Sequence, residues 1–133
     1  MNYIVLLVLM LTGTASAFAS GACKDGSPDA FTFVRWEVKV RDNQSTEINM
    51  TFHNNLDQTL SDASFGAVVD DKGGPRLGMQ IQETAKASSD HTEIYIMQGI
   101  PANVVATLKD IKPLLCAYDL IEEKTHKHTN YLQ

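Results

Sequence analysis

The chain has no apolar run long enough to cross a bilayer, which takes roughly 20 residues in sequence. Its longest, Ile4 to Leu11, stops well short of that. No basic stripe appears anywhere along the 133 residues, and 16 Asp and Glu against 11 Lys and Arg give a net charge of −5. Nucleic acid and anionic membrane both require clustered cations, so neither is expected as a partner. Catalytic signatures are missing as well. There is no Gly-x-Ser-x-Gly, no His-Glu-x-x-His, no Gly-rich phosphate loop before a helix and no Cys-x-x-Cys. A triad assembled in space leaves no trace in one dimension, but a small chain without a nucleophile motif is expected to be no enzyme and to need no cofactor. Internal repeats and stretches of clear helical period are also lacking. Cysteine is scarce, with Cys23 and Cys116 alone, and Trp36 is the single tryptophan.

What the N-terminus does have is the Ile4–Leu11 run followed by small residues, Thr12 to Ala19. No Lys or Arg precedes the run, so the amino terminus is the one positive charge there. The pattern reads as a secretory signal that is removed, not as an anchor. Ala17-Phe18-Ala19 before Ser20 is the preferred cleavage site, with Ala15-Ser16-Ala17 as the alternative. Residues 1–19 are therefore expected to be a signal peptide, 20–121 one β-sandwich domain and 122–133 a polar C-terminal tail. The mature protein is expected to be secreted or periplasmic.

In such an oxidising compartment two cysteines pair more often than they stay free. A Cys23–Cys116 disulfide would tie the start of the domain to its last apolar strand. The chain-entropy model puts so long a closure at about 4–5 kcal/mol. Ser20-Gly21-Ala22-Cys23 has the small residues of a lipid-anchor site but lacks the large aliphatic residue such sites want three places upstream.

Beyond a turn-rich lead-in, period-two alternation takes over. Val34, Trp36, Val38 and Val40 stand against Arg35, Glu37, Lys39 and Arg41, with core packing the expected role of Trp36. Ile48, Met50 and Phe52 repeat the pattern after a turn at Asp42 to Ser45, and the two strands predict a hairpin. A third strand spans about Thr59 to Val69, with an irregularity near Asp62-Ala63 and a bulge or close backbone approach at Gly66. Asp70 to Pro75 is the strongest turn signal. Leu77, Met79 and Ile81 make a fourth strand. His91 to Gln98 makes a fifth, with Ile94 and Ile96 on one face and Glu93 and Tyr95 on the other. Val104 to Ile111 is read as a sixth strand, a helix from Ala102 to Lys112 being its rival, because Val-Val-Ala-Thr favours strand. Leu114 to Ile121 is the seventh. Seven short strands with turns between them predict an all-β sandwich with Greek-key connections.

His126 and His128 are the nearest approach to a metal site, since residues two apart on an extended chain point the same way. A solvated basic tail is the plainer reading of Lys124 to His128, and no metal is expected. Asp70-Asp71 lacks the alternating oxygen ligands of a calcium loop. Asn43-Gln44-Ser45 and Asn49-Met50-Thr51 match the N-glycosylation acceptor pattern, which matters only on a eukaryotic secretory route.

The rhythm from Phe31-Thr32-Phe33-Val34-Arg35-Trp36 to Leu114-Leu115-Cys116-Ala117-Tyr118 resembles fibronectin type III and immunoglobulin-like domains. It departs from them in two ways. Trp36 sits on the first strand, where the fibronectin tryptophan is usually on the second, and the cysteines do not span the sheets in the immunoglobulin manner. The short exported form also resembles the bacterial interleukin-receptor-mimic proteins, a fibronectin-like group that dimerises and binds host cytokines. No binding residue is carried over from them. The resemblance implies a non-enzymatic binding protein, associated with virulence, with a host cytokine as partner. Homodimerisation through a sheet edge, or by strand exchange about Asp70 to Pro75, is the self-association a sandwich permits. An envelope or appendage component acting by strand addition is the alternative function, and a metal or small-ligand carrier is the third.

Overall fold

The computed structural model describes residues 23, 26–41, 44–69 and 76–131. The expected signal peptide, Asn43 and the 70–75 turn lie outside the described residues. Among the described residues there are seven strands: β1 (Phe31–Val40), β2 (Thr46–Asn54), β3 (Leu60–Val68), β4 (Arg76–Gln80), β5 (Asp90–Met97), β6 (Leu114–Glu122) and β7 (His128–Asn130). All described pairings are antiparallel, in one sheet ordered β1-β2-β5 and another ordered β4-β3-β6-β7. The all-β sandwich expected from the alternation is the observed architecture.

The core lies between the sheets because each contributes one apolar face. Trp36, Val38, Ile48, Met50 and Phe52 come from the first, and Ala63, Phe65, Ala67, Leu77, Met79, Leu115, Ala117 and Leu120 from the second. Phe31, Phe52 and Phe65 join the layers, with ring centroids 4.8–5.3 Å apart. Asn54, fully buried, holds the end of β2: its side-chain amide donates to the Gln58 carbonyl at 3.0 Å, and its Oδ1 accepts the Leu56 amide at 3.0 Å. A buried polar group of this kind is tolerated because it is satisfied.

The disulfide joins Cys23 to Cys116 across a separation of 93 residues. It sits with Val68, Leu114 and Tyr118 on the outer face of the four-stranded sheet, away from the main core. Just after it, Ser27 and Ala117 exchange backbone hydrogen bonds at 2.9 and 2.8 Å. The lead-in is thereby attached to the second sheet before β1 enters the first. Gly26 is required here, since a Cβ would come within 2.8 Å of the Ala117 carbonyl oxygen and the Tyr118 ring. At Gly66, where a bulge or a close backbone approach is expected, the near neighbour is a side chain, the Tyr118 ring 3.3 Å from where a Cβ would stand, and the register shift falls just before it, between Ser64 and Phe65.

Three expectations are corrected. The sixth strand, Val104 to Ile111, is instead a helix, α1 (Ala102–Leu108). Its β-branched residues are overridden by what the segment packs against. Val105 and Leu108, three apart, are both buried, and the Leu108 carbonyl accepts the Trp36 indole N–H at 2.5 Å. Part of the stretch read as a polar tail belongs to the sheet: β6 runs to Glu122, and β7, His128–Asn130, pairs with Asp119 to Ile121. Finally, Val34 leaves the Trp36 face, because a bulge between Phe33 and Arg35 shifts the register and turns it outward, 39% exposed.

Candidate binding surface

The alternation in β5 is inverted relative to its hydrophobicity. Ile94 and Ile96 were expected inside and Glu93 and Tyr95 outside. The structure buries Glu93 and Tyr95, at 6% and 8% exposure, and leaves Ile94 and Ile96 at 59% and 56%. The cause is local and polar. One carboxylate oxygen of Glu93, Oε1, accepts the Gln82 amide at 2.8 Å, the Glu83 amide at 3.1 Å and the His91 Nε2–H at 2.9 Å. Those amides belong to the chain leaving β4, so Glu93 stitches the two sheets where the connection passes between them. His91, two residues earlier and on the same face, packs its ring edge-on against Phe52 at 5.5 Å.

With Glu93 fixed inward, strand parity sends Ile94 and Ile96 outward. Tyr95 follows Glu93 inside, beside the row formed by Val38 and Ile48. Its hydroxyl is buried and has no hydrogen-bond partner among the described residues. Burial, with the Glu93 charge adding, pushes the phenol well above its ordinary range.

β5 is also an edge, pairing with β2 alone among the described residues. The other edges are protected by the usual devices. β1 carries the Val34 bulge together with Arg35 and Lys39, β4 has five residues and β7 has three. β5 keeps unbroken register from Asp90 to Met97 and contains no Lys or Pro. It therefore presents eight residues of regular backbone edge with two isoleucines on its solvent face.

The histidines do not converge. His53 Nδ1 lies 2.8 Å from Asp90 Oδ1, and His128 Nε2 lies 3.0 Å from Asp119 Oδ1. His126 is not on the extended run that the metal argument assumed: it occupies the turn before β7 with a φ of 53°. Among the described residues no group of three or more His, Cys, Asp or Glu is placed to hold a metal ion. Asn49, the described glycosylation acceptor, lies half-buried on the central strand β2, and the Thr51 hydroxyl of its motif is engaged with that of Thr92 at 2.7 Å.

No family model, curated protein or solved structure matches the chain. Among the described residues no helix is long and apolar enough to cross a membrane. The disulfide is of the kind that persists in oxidising compartments. Nothing in the hydrophobic pattern of β5 pointed to the surface just described. The signal that does point to it is His91-x-Glu93, two partners on one face of a strand, which marks that face as the hydrogen-bonded one.

Proposed function

We propose that this chain is an exported, non-enzymatic β-sandwich that binds a protein partner through the free edge and outer face of β5. The observation that carries the reading is the exposure of Ile94 and Ile96 on the longest regular edge strand. Unprotected edges invite strand addition, and adjacent apolar side chains give the added strand something to pack on. The disulfide supports export.

The three-plus-four strand order supports the likeness to fibronectin type III domains and, through it, the narrower idea of a virulence-associated cytokine-receptor mimic. In that form of the reading the partner is a host cytokine. In the envelope or appendage form it is an extended segment of a neighbouring component.

The test compares the disulfide-bonded protein with an Ile94→Lys/Ile96→Lys variant as bait, against a panel of cytokines and against envelope extracts. Both substitutions are on exposed sites, so thermal stability should stay within about 0.5 kcal/mol of the parent. The expected result is a partner held by the parent and lost by the variant. Retention of every bound protein by the variant, or no bound protein at all, would overturn the proposal.

A further inference from the structure

In an antiparallel ladder, opposed residues alternate between pairs that exchange both backbone hydrogen bonds and pairs that exchange none. The Asn54 amide donates to the Ser89 carbonyl at 2.9 Å, one step beyond the opposed His53 and Asp90. The β2–β5 register is unbroken from there, so the backbones of His91, Glu93, Tyr95 and Met97 bond to β2. Those of Asp90, Thr92, Ile94 and Ile96 point off the free edge, where no strand pairs with them among the described residues.

A strand that adds here must set its own outward-pointing residues opposite these. A second β5, related by a two-fold axis, meets that condition in two registers of nearly full overlap. One is centred on Glu93 and sets the buried Glu93 carboxylates of the two copies directly against each other, a like-charge opposition that destabilises a sheet. The other is centred on Ile94 and overlaps residues 91–97 of both copies. Ile94 then meets Ile94, Thr92 meets Ile96, Glu93 meets Tyr95 and His91 meets Met97, with no like charges opposed. The isoleucines of both copies gather on the outer face about the axis, each covering apolar surface that a single chain leaves in water.

We propose that a second copy of this chain adds to the free edge of β5, antiparallel and centred on Ile94, joining two three-stranded sheets into one. The inference rests on the reading of β5 as an open binding edge and names the occupant of that edge. A different protein partner then meets the isoleucine cluster on the outer face, or competes for the edge. One strand pairing is a small interface, so the dimer should dissociate in the micromolar range.

Sedimentation of the disulfide-bonded protein over about 1–500 µM should show a monomer–dimer equilibrium. Ile94→Lys and Ile94→Glu should each be monomeric, and an equimolar mixture of the two should dimerise again, because position 94 meets itself at the axis. Circular dichroism and thermal unfolding establish that both variants are folded. In the parent, amide exchange at Thr92, Ile94 and Ile96 should slow as concentration rises, while Glu93 and Tyr95, bonded to β2, stay unchanged. A monomer at every concentration, a dimer that persists in both single variants, or a mixture that stays monomeric would overturn the proposal. A monomeric parent that still captures a protein lost by Ile94→Lys/Ile96→Lys sinks this inference and leaves the binding reading intact. A dimer that captures nothing does the reverse.

Discussion

Replacing Glu93 by alanine would leave the Gln82 and Glu83 amides and the His91 ring around a void where one oxygen now accepts from all three. Three partly buried hydrogen bonds to one carboxylate oxygen would be lost together with the packing of a buried side chain, so Glu93→Ala should lower stability by about 2–4 kcal/mol. The check is a fall in the urea midpoint with an unchanged m value. Its neighbour Tyr95 should behave in the opposite way. Its buried hydroxyl makes no hydrogen bond among the described residues, so Tyr95→Phe should raise stability at neutral pH by about 1 kcal/mol. The sign of the pH effect follows from the direction of the shift. The folded chain holds the phenolic proton beyond the pH at which the unfolded chain releases it, about pH 10. The unfolded state then binds fewer protons, and stability declines as pH rises past that value. Tyr95→Phe should flatten this alkaline decline in denaturant titrations at pH 9 to 11.

The strands most legible in the sequence are those buried on one face along their whole length. Ile48, Met50 and Phe52 of β2 alternate without fault because β2 is central and its inner face meets the other sheet. Legibility fails at the edges, where hydrogen bonding can outweigh apolar burial. In β5 a three-donor carboxylate sets the phase and the isoleucines follow. In β1 the bulge moves Val34 to solvent while Trp36 is held by the carbonyl of Leu108. That carbonyl belongs to α1, seven residues whose valines read as strand because the deciding contacts come from a segment 72 positions away. Leu108 is fully buried, so Leu108→Ala should cost about 2–4 kcal/mol. It should also shift Trp36 fluorescence to longer wavelength as the indole loses its cover, a change that an equally destabilising substitution in β6 would not produce in the folded protein. For the candidate surface, composition located the strand but not the face.

Seven strands in two sheets would form a core without any crosslink, yet the disulfide adds a constraint over most of the chain. Closing 93 residues should stabilise by about 4–5 kcal/mol in the chain-entropy model, with delivered values often smaller. Reduction, or Cys23→Ala/Cys116→Ala, should therefore lower the unfolding midpoint while leaving the β-sheet circular dichroism spectrum in place at low temperature, because the bridge packs outside the main core. Loss of all sheet signal on reduction would show instead that the two layers depend on it. The link also has a bearing on biosynthesis. Cys23 precedes every described strand and its mate lies in β6, so ribosomes must deliver the chain as far as β6 before an oxidase can act on the pair. Any fragment that stops short of β6 keeps a reactive thiol, and a maleimide label would sort unfinished molecules from finished ones.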